Sequence, residues 1–591
     1  MGLDYALVHV KYTIPPAILL TLLYKPLFSR LDVYRICFLI IIAVASTIPW
    51  DSYLIRSRIW SYPPDAVLGP TLYSIPLEEL FFFIIQTYDV SLLYIILTRP
   101  TFYPAHLPHR RSLSRNVGGI GRLGQLFFAA TLLEGIYLVK NGGLGTYMGL
   151  IIIWAFPFLL LLWSLSKDFM LQIPKKNILI PILLPTLYLW LVDTFALRRG
   201  TWVIEQGTKY GIHIWEGLDI EEAFFFLVTT MLVVFGQIAF DNAITIMEAF
   251  PALFPNPSRY PSPIAAVQAL LLPDSAYDSD RIEGFQQAVA RLKKKSRSFY
   301  LASSAFSGRL RGDLILLYSF CRVADDLVDS ATNSEEAKYW IERLVEFLDI
   351  SYATKDTSKR HEKATTFVHS TFPEDARQAL IQLPTTYLSK QPLYDLLRGF
   401  ETDLIFDGAA RGEHDWPVKS EHDLEEYGRC VASTVADLCI ELVFHHEMPS
   451  TPTAEQLRIR KAGIQMGIAL QIVNIARDIQ VDAEMKRVYL PTSWLQEESM
   501  TAQDVLKHPS SPALVRLRSR LLDKAFALYY DARAAIDELP TSARGPMRVA
   551  VDSYMEIGHV LRQETYQVKA GRATVPKLRR LRVAWRALNK T

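Results

Sequence analysis

Cysteine is scarce in this chain: Cys37, Cys321, Cys430 and Cys439 are the only four in 591 residues. They show no metal-ligand spacing and are too few for a disulfide framework, which fits a reducing compartment and buried, small apolar roles. Net charge is equally sparse at +2. No basic stripe with interleaved aromatics occurs, so nucleic acid is not an expected partner. A cleavable signal peptide is not expected either, because the first apolar segment lacks a basic start and an A-x-A-like exit.

What the chain has in abundance is apolar length. Up to about residue 240, Leu, Ile, Phe, Trp and Tyr run in long blocks, whereas charged residues return beyond about residue 280. The mean hydropathy of +0.14 averages these two materials. The length alone predicts more than one domain. Seven apolar segments, at roughly 3–24, 32–50, 76–98, 124–140, 147–165, 177–196 and 219–240, are long enough to cross a bilayer as helices. The prolines of 246–282 read as a linker in extended conformations. From 283 to 591 the apolar spacing is helical almost throughout, with a polar surface loop expected at about 351–375. The fold class expected is therefore all-α, with domains 1–245 and 283–591 joined by that linker.

The N-terminal half repeats itself. Asp51, Trp60 and the run from Pro76 through Glu78, Glu79, Phe81, Phe82 and Phe83 are echoed by Asp193, Trp202 and the run from Asp219 through Glu221, Glu222, Phe224, Phe225 and Phe226. The Asp-to-Trp spacing is identical in both copies, and the Asp-to-Glu spacing differs by one residue. Three spans, one connecting span and three spans make the copies parallel, so both Glu pairs start a span at the same depth, where they could face each other across a pseudo-twofold axis. Such carboxylates have a plain reading, facing water or capping a helix start. Their recurrence with Phe triplets inside membrane spans favours function instead. Paired carboxyls in an apolar site suit proton transfer, one as acid and one as base, and aromatic faces stabilise a carbocation.

These residues resemble the fungal and heterodimeric-bacterial type of lycopene cyclase, whose hallmark is a duplicated Pro-x-Glu-Glu-x-x-Phe-Phe segment among transmembrane helices. The resemblance implies that Glu78, Glu79, Glu221 and Glu222 are catalytic in closing rings on lycopene or related carotenes. The second copy departs from the pattern with Asp219 in place of proline, and with Thr229 and Thr230 opposite Gln86 and Thr87. No G-x-G-x-x-G follows a strand in this half, so no flavin is expected.

Two clusters mark the C-terminal half. Tyr318, Arg322, Asp325 and Asp329 share one helix face, as do Gln471, Asn474, Asp478 and Asp482. One D-x-x-x-D alone reads as a solvated face. Two matched clusters among apolar neighbours suit several Mg²⁺ ions, with Mn²⁺ as a substitute, held against a diphosphate. This half resembles the squalene and phytoene synthase family over about 283–575. The resemblance implies metal binding by Asp325, Asp326, Asp329, Asn474, Asp478 and Asp482, the four motif aspartates Asp325, Asp329, Asp478 and Asp482 being catalytic through their metals. It further implies diphosphate contacts from Ser296, Ser298, Tyr318, Arg322, Gln471, Asn474, Arg477 and Arg487, and a pocket-lining catalytic role for Tyr427. The reaction implied joins two geranylgeranyl diphosphates through a cyclopropyl intermediate to phytoene, without NADPH.

Other readings remain on the residues alone: a squalene or phytoene synthase merely anchored by its N-terminal half, or a non-catalytic membrane scaffold. A squalene synthase would usually carry a C-terminal anchor, which is not expected in PKLRRLRVAWRALNKT. A phytoene desaturase is an expected partner, because desaturation must separate the two reactions. Lys25, Arg30, Arg99, Arg110, Arg111, Arg115, Arg122, Lys167, Lys175 and Lys176 fall on the more basic side of the spans, which predicts a multi-pass protein with its C-terminal domain in the cytoplasm.

Overall fold

The computed structural model describes residues 2–109, 115–255, 260–353, 356–563 and 575–590. Arg110 and Arg111, and the side chains of Arg115 and Ser298, lie outside what is described. The chain divides into two compact units, Met1–Ile282 and Glu283–Thr591. Both are helical, and the strands among the described residues form three two-stranded pairs, all in the first unit.

Seven helices of the first unit are long and apolar enough to cross a bilayer: Asp4–Leu27, Arg30–Arg56, Leu77–Thr98, Gly118–Asn141, Gly143–Gln172, Lys176–Arg199 and Ile220–Ala249, here spans 1 to 7. Their outer faces are apolar, as a lipid environment requires. Leu179, Leu183, Leu187 and Leu191 make one such exposed stripe along span 6. Cys37 also lies exposed on span 2, against the expectation that every cysteine is buried. Span 7 is the most enclosed of the seven.

Two expectations need correction. The polar stretch at about 351–375 contains a helix, Thr357–Thr371, capped by the Asp356 side chain, which accepts from the Lys359 amide at 3.2 Å. Buried Ala364 and Val368, one turn apart, anchor it together with the partly buried Phe367; its other residues are polar enough to read as a loop. Residues 354–355 are outside the described set. The proline-rich stretch is not extended throughout either: Ser262 caps a helix at Pro263–Leu270, which packs against span 7.

In the second unit the helix Thr453–Glu484 is the central rod. It packs against Pro512–Arg533, Thr434–Glu447 and Thr541–Leu561, burying Ala469, Ile472, Val473 and Ala476 completely. Where it crosses the π-helical turn Arg429–Ser433, Gly467 lets the backbones meet; a Cβ there would lie 2.5 Å from the Ser433 Cα. Backbone cannot give way as a flexible side chain can. Gly467→Ala is expected to destabilise the unit by about 1–3 kcal/mol, read as a lower thermal unfolding temperature of the purified chain. An unchanged temperature would show that this crossing has slack.

Candidate functional site

The repeat in the first unit is a true pseudo-twofold, and its axis can be located. Trp60–Ser61 pairs antiparallel with Val203–Ile204, with Ser61 opposite Val203 and Trp60 opposite Ile204. Ser61 and Val203 each stand ten residues after the repeat aspartate. An antiparallel pair that puts equivalent residues opposite each other has the twofold passing between them. Deeper in the unit Gln86 donates to the equivalent Thr229 hydroxyl at 3.0 Å. Phe82 meets Phe226 at 6.0 Å and Phe83 meets Phe225 at 6.4 Å, the same contact made twice.

Around this axis the four glutamates are buried, none more than 4% exposed, and they divide into two kinds. Glu78 accepts the Leu68 backbone N–H at 2.7 Å, and Glu221 accepts the Tyr210 backbone N–H at 2.7 Å. These two tie down the loops that precede spans 3 and 7. Glu79 instead accepts phenol O–H groups from Tyr5 and, at 2.8 Å, from Tyr62, and Glu222 accepts one from Tyr147. Burial of a carboxylate is tolerable only when such donors replace water. Each tyrosine packs on the tryptophan of the other copy, Tyr5 on Trp202 at 5.0 Å and Tyr147 on Trp60 at 5.9 Å. Trp50, Trp154 and Phe225 stack beside them, with Trp50 4.7 Å from Trp154 and 5.6 Å from Phe225.

Tyr5 and Tyr147 were not singled out from the sequence, yet a signal exists: Tyr5 precedes Asp51 by 46 residues and Tyr147 precedes Asp193 by 46. The copies are not equivalent. Tyr62 corresponds to Ile204, and Asp219, in the proline's place, is paired with Lys209 at 2.7 Å.

In the second unit the two aspartate faces lie on Gly308–Asp329 and on Thr453–Glu484. Arginines balance them. Arg322 pairs with Asp325 at 2.8 Å and Asp326 at 2.5 Å, Arg477 grips Asp478 with two hydrogen bonds of 2.8 and 2.5 Å, and Arg487 reaches Asp329 at 2.9 Å. Asp326 also meets Lys295 at 3.1 Å; these cations hold its carboxyl below the usual range although it is partly buried. Asn474 donates to Gln471 at 3.1 Å and accepts from Tyr554. Ser296 caps the Arg297–Ser303 helix and hydrogen-bonds Tyr318.

A residue absent from the sequence reading stands between the two faces. Asp403, on Lys390–Arg411, accepts from Tyr427 at 3.2 Å and from Tyr489 at 2.9 Å, and those two rings stack at 4.8 Å. Its charge acts on Asp325 in one cluster and Asp482 in the other, so both clusters lie within electrostatic reach of one carboxyl. Burial, then the Asp329 charge, pushes Asp325 up to about 7. Burial, then Asp478, pushes Asp482 up to about 8. Burial raises Asp403 to about 6. Burial and the Asp403 carboxylate push the Tyr427 phenol up, keeping it a neutral donor. So much crowded acid calls for cations. Among the described residues no three His, Cys, Asp or Glu side chains form a closed metal cage, and carboxylate pairs facing a shared space fit Mg²⁺, which keeps waters and substrate phosphates among its ligands.

The squalene/phytoene synthase family profile matches residues 292–579. A crystal structure of a dehydrosqualene synthase in complex with ligand is 22% identical and covers 52% of this chain and 95% of that one, at a TM-score of 0.41. The matched segment lies within the second unit, and the squalene/phytoene synthase family generally uses a divalent metal such as Mg²⁺. The whole chain is 57% identical to a bifunctional lycopene cyclase/phytoene synthase of Leptosphaeria maculans, 54% to one of Gibberella fujikuroi and 50% to one of Podospora anserina, each alignment covering 100% of both chains. The chain belongs to the bifunctional lycopene cyclase/phytoene synthase family.

The raised carboxyls set a pH dependence. Asp325 and Asp482 bind protons more tightly folded than unfolded, so without metal their contribution to stability falls as pH climbs from about 4 through about 8. Metal must displace those protons. Added Mg²⁺ is therefore expected to raise the unfolding temperature of the second unit more at pH 8 than at pH 6, and Asp325→Asn to narrow the difference. Equal stabilisation at both pH values would remove these carboxyls from the metal site.

Proposed function

We propose that the family's two activities reside in separate units of this chain. The second unit condenses two geranylgeranyl diphosphates head to head, through prephytoene diphosphate, to phytoene. The first closes β-rings on lycopene-type ends by proton transfer without net redox change. Domain limits of 1–245 and 283–591 with a connecting stretch between them suit this division.

In the synthase unit Asp325, Asp329, Asp478 and Asp482, with Asn474, are the residues that would hold Mg²⁺, and Mn²⁺ could substitute. When bound, the metal neutralises the diphosphate leaving group as the allylic cation forms. Asp326 belongs to the same motif, but its pairing with Arg322 and Lys295 suits a role in steering those cations. Arg322, Arg477 and Arg487 exchange their aspartate partners for phosphate oxygens, which bind a guanidinium as carboxylates do. Ser296, Ser298, Tyr318 and Gln471 complete the diphosphate contacts. Tyr427, steadied by Asp403 and Tyr489, presents a neutral O–H and a ring face to the cation.

In the cyclase unit Glu79 and Glu222 face the aromatic chamber, while Glu78 and Glu221 act by holding loop amides. Trp50, Trp60 and Phe225 offer π faces to a developing carbocation. The two-copy Tyr–Glu constellation around one axis is the observation that carries this reading. Phytoene and lycopene differ by desaturation, so phytoene leaves the second unit, is desaturated by a partner enzyme and returns as lycopene. The greater number of Lys and Arg on the side reached after seven crossings supports a multi-pass protein with its synthase unit in the cytoplasm.

The test is pigment analysis in cells that make geranylgeranyl diphosphate and contain a phytoene desaturase. Asp325→Ala should lower phytoene by roughly a hundredfold or more. Glu79→Gln combined with Glu222→Gln should leave phytoene intact and stop at open-chain lycopene, whereas Glu78→Gln should still form rings. Rings from the Glu79/Glu222 double variant would overturn the cyclase assignment, and full phytoene from Asp325→Ala would overturn the synthase one.

A further inference from the structure

Two more buried carboxyls lie beside the glutamates of the first unit, and the mechanism so far does not use them. Asp51 is 0% exposed and Asp193 1% exposed, both on membrane spans, at matching positions of the repeat. Asp51 lies within electrostatic reach of Glu79, and Asp193 within reach of Glu222 and Glu79. The hydrogen bonding of Asp51 sets it apart from the four glutamates, each of which has at least one oxygen bonded. Neither oxygen of Asp51 has a partner among the described residues. Asp193 accepts from the Trp202 indole N–H at 3.2 Å through one oxygen, and its other oxygen has none. Trp60, the counterpart of Trp202, is turned instead onto Phe225 at 5.7 Å and Trp50 at 5.8 Å.

A carboxylate deprived of water, cations and N–H or O–H donors is the costliest group a protein can bury; the same group carrying a proton costs far less. Glu79, with two phenol donors, is furnished for negative charge. Asp51, with none, is furnished for none. A buried polar group left without a partner calls for an explanation, and catalytic use is one.

We propose that Asp51 is the proton donor for ring closure and Glu79 the acceptor, with Asp193 and Glu222 a weaker second pair. The assignment rests on the ring-closing reading of this unit. The Asp51 O–H proton passes to the terminal C=C of the polyene, leaving a tertiary cation between the aromatic faces. The neighbouring double bond attacks it, forming the ring C–C bond and moving the charge onto the ring. The ring then loses a proton to the Glu79 carboxylate as the new ring double bond forms. Glu79 returns that proton to Asp51 within the same chamber. One proton is delivered and one recovered, so the product is an isomer of the substrate and no reductant or oxidant is consumed. Because Asp193 is partly occupied by Trp202, the first copy carries the larger share.

The experiment expresses the full chain in the cells described above and quantifies phytoene-derived carotenes by ring content. Asp51→Asn keeps the shape and removes the acid; ring formation should fall ~100-fold or more, in the range of a lost general acid, while total carotene is unchanged. Asp51→Glu should restore a measurable fraction, which a purely structural role for the aspartate's size would not do, and Asp193→Asn should cost less than Asp51→Asn. If Asp51→Asn also lowers total carotene, Asp51→Glu decides: carotene and rings both returning support the proposal, and carotene returning without rings overturns it. Ring formation by Asp51→Asn within about threefold of the unaltered chain would overturn it outright. Normal ring formation by the Glu79/Glu222 double variant would instead remove the ring-closing reading on which it stands.

Discussion

Buried negative charge is the constraint on which both units depend. In a medium without water, a carboxylate persists only where the fold supplies donors, cations or a proton. The cyclase unit answers with phenols and backbone amides, each glutamate being matched to a donor from another span or from the loop before its own. The synthase unit answers with arginines, each laid across an aspartate, and with protons on Asp325 and Asp482 near neutral pH. The two chambers thus prepare for opposite tasks. In the functions proposed above, one stores a proton to create a cation, and the other offers carboxyl sites to metals that would draw a diphosphate away and leave a cation behind.

The helices make these arrangements affordable by fixing direction. A face repeated at helical spacing projects Tyr318, Arg322, Asp325 and Asp329 together without any loop to order them. The opposite face of the same helix is locked by Leu316, Leu317 and Phe320, all at most 1% exposed. In the first unit the short strand pair Trp60–Ser61 with Val203–Ile204 does the comparable work, because it clamps the loops of both copies over the chamber.

Much of this was legible in the sequence, and what was not has physical reasons. The seven spans and the aspartate faces announce themselves because apolar length and helical spacing are local properties. The Asp, Trp and Glu-Glu echo was legible because the three elements recur at nearly fixed distances. Tyr5 and Tyr147 were missed because a lone tyrosine at the head of an apolar span looks like any interfacial aromatic, and its link to Glu79 or Glu222 is a tertiary contact more than seventy residues away. Asp403 was missed for a similar reason: it belongs to no repeated motif, and only the fold brings Tyr427 and Tyr489 to it. The Thr357–Thr371 helix was missed because three apolar anchors confined to its second half, Ala364, Phe367 and Val368, are too few to set a period against so many polar neighbours.

The exchange of partners across the twofold, with Tyr5 and Tyr147 each packed on the other copy's tryptophan and equivalent strands paired at Ser61 and Val203, means that neither half is complete alone. Two identical copies of the first half would bring two Gln86 side chains to the axis, where the structure has one amide donor and one Thr229 hydroxyl. Joining the two halves in one polypeptide fixes their ratio at one to one, so that every chain carries both halves and needs no search for a complement.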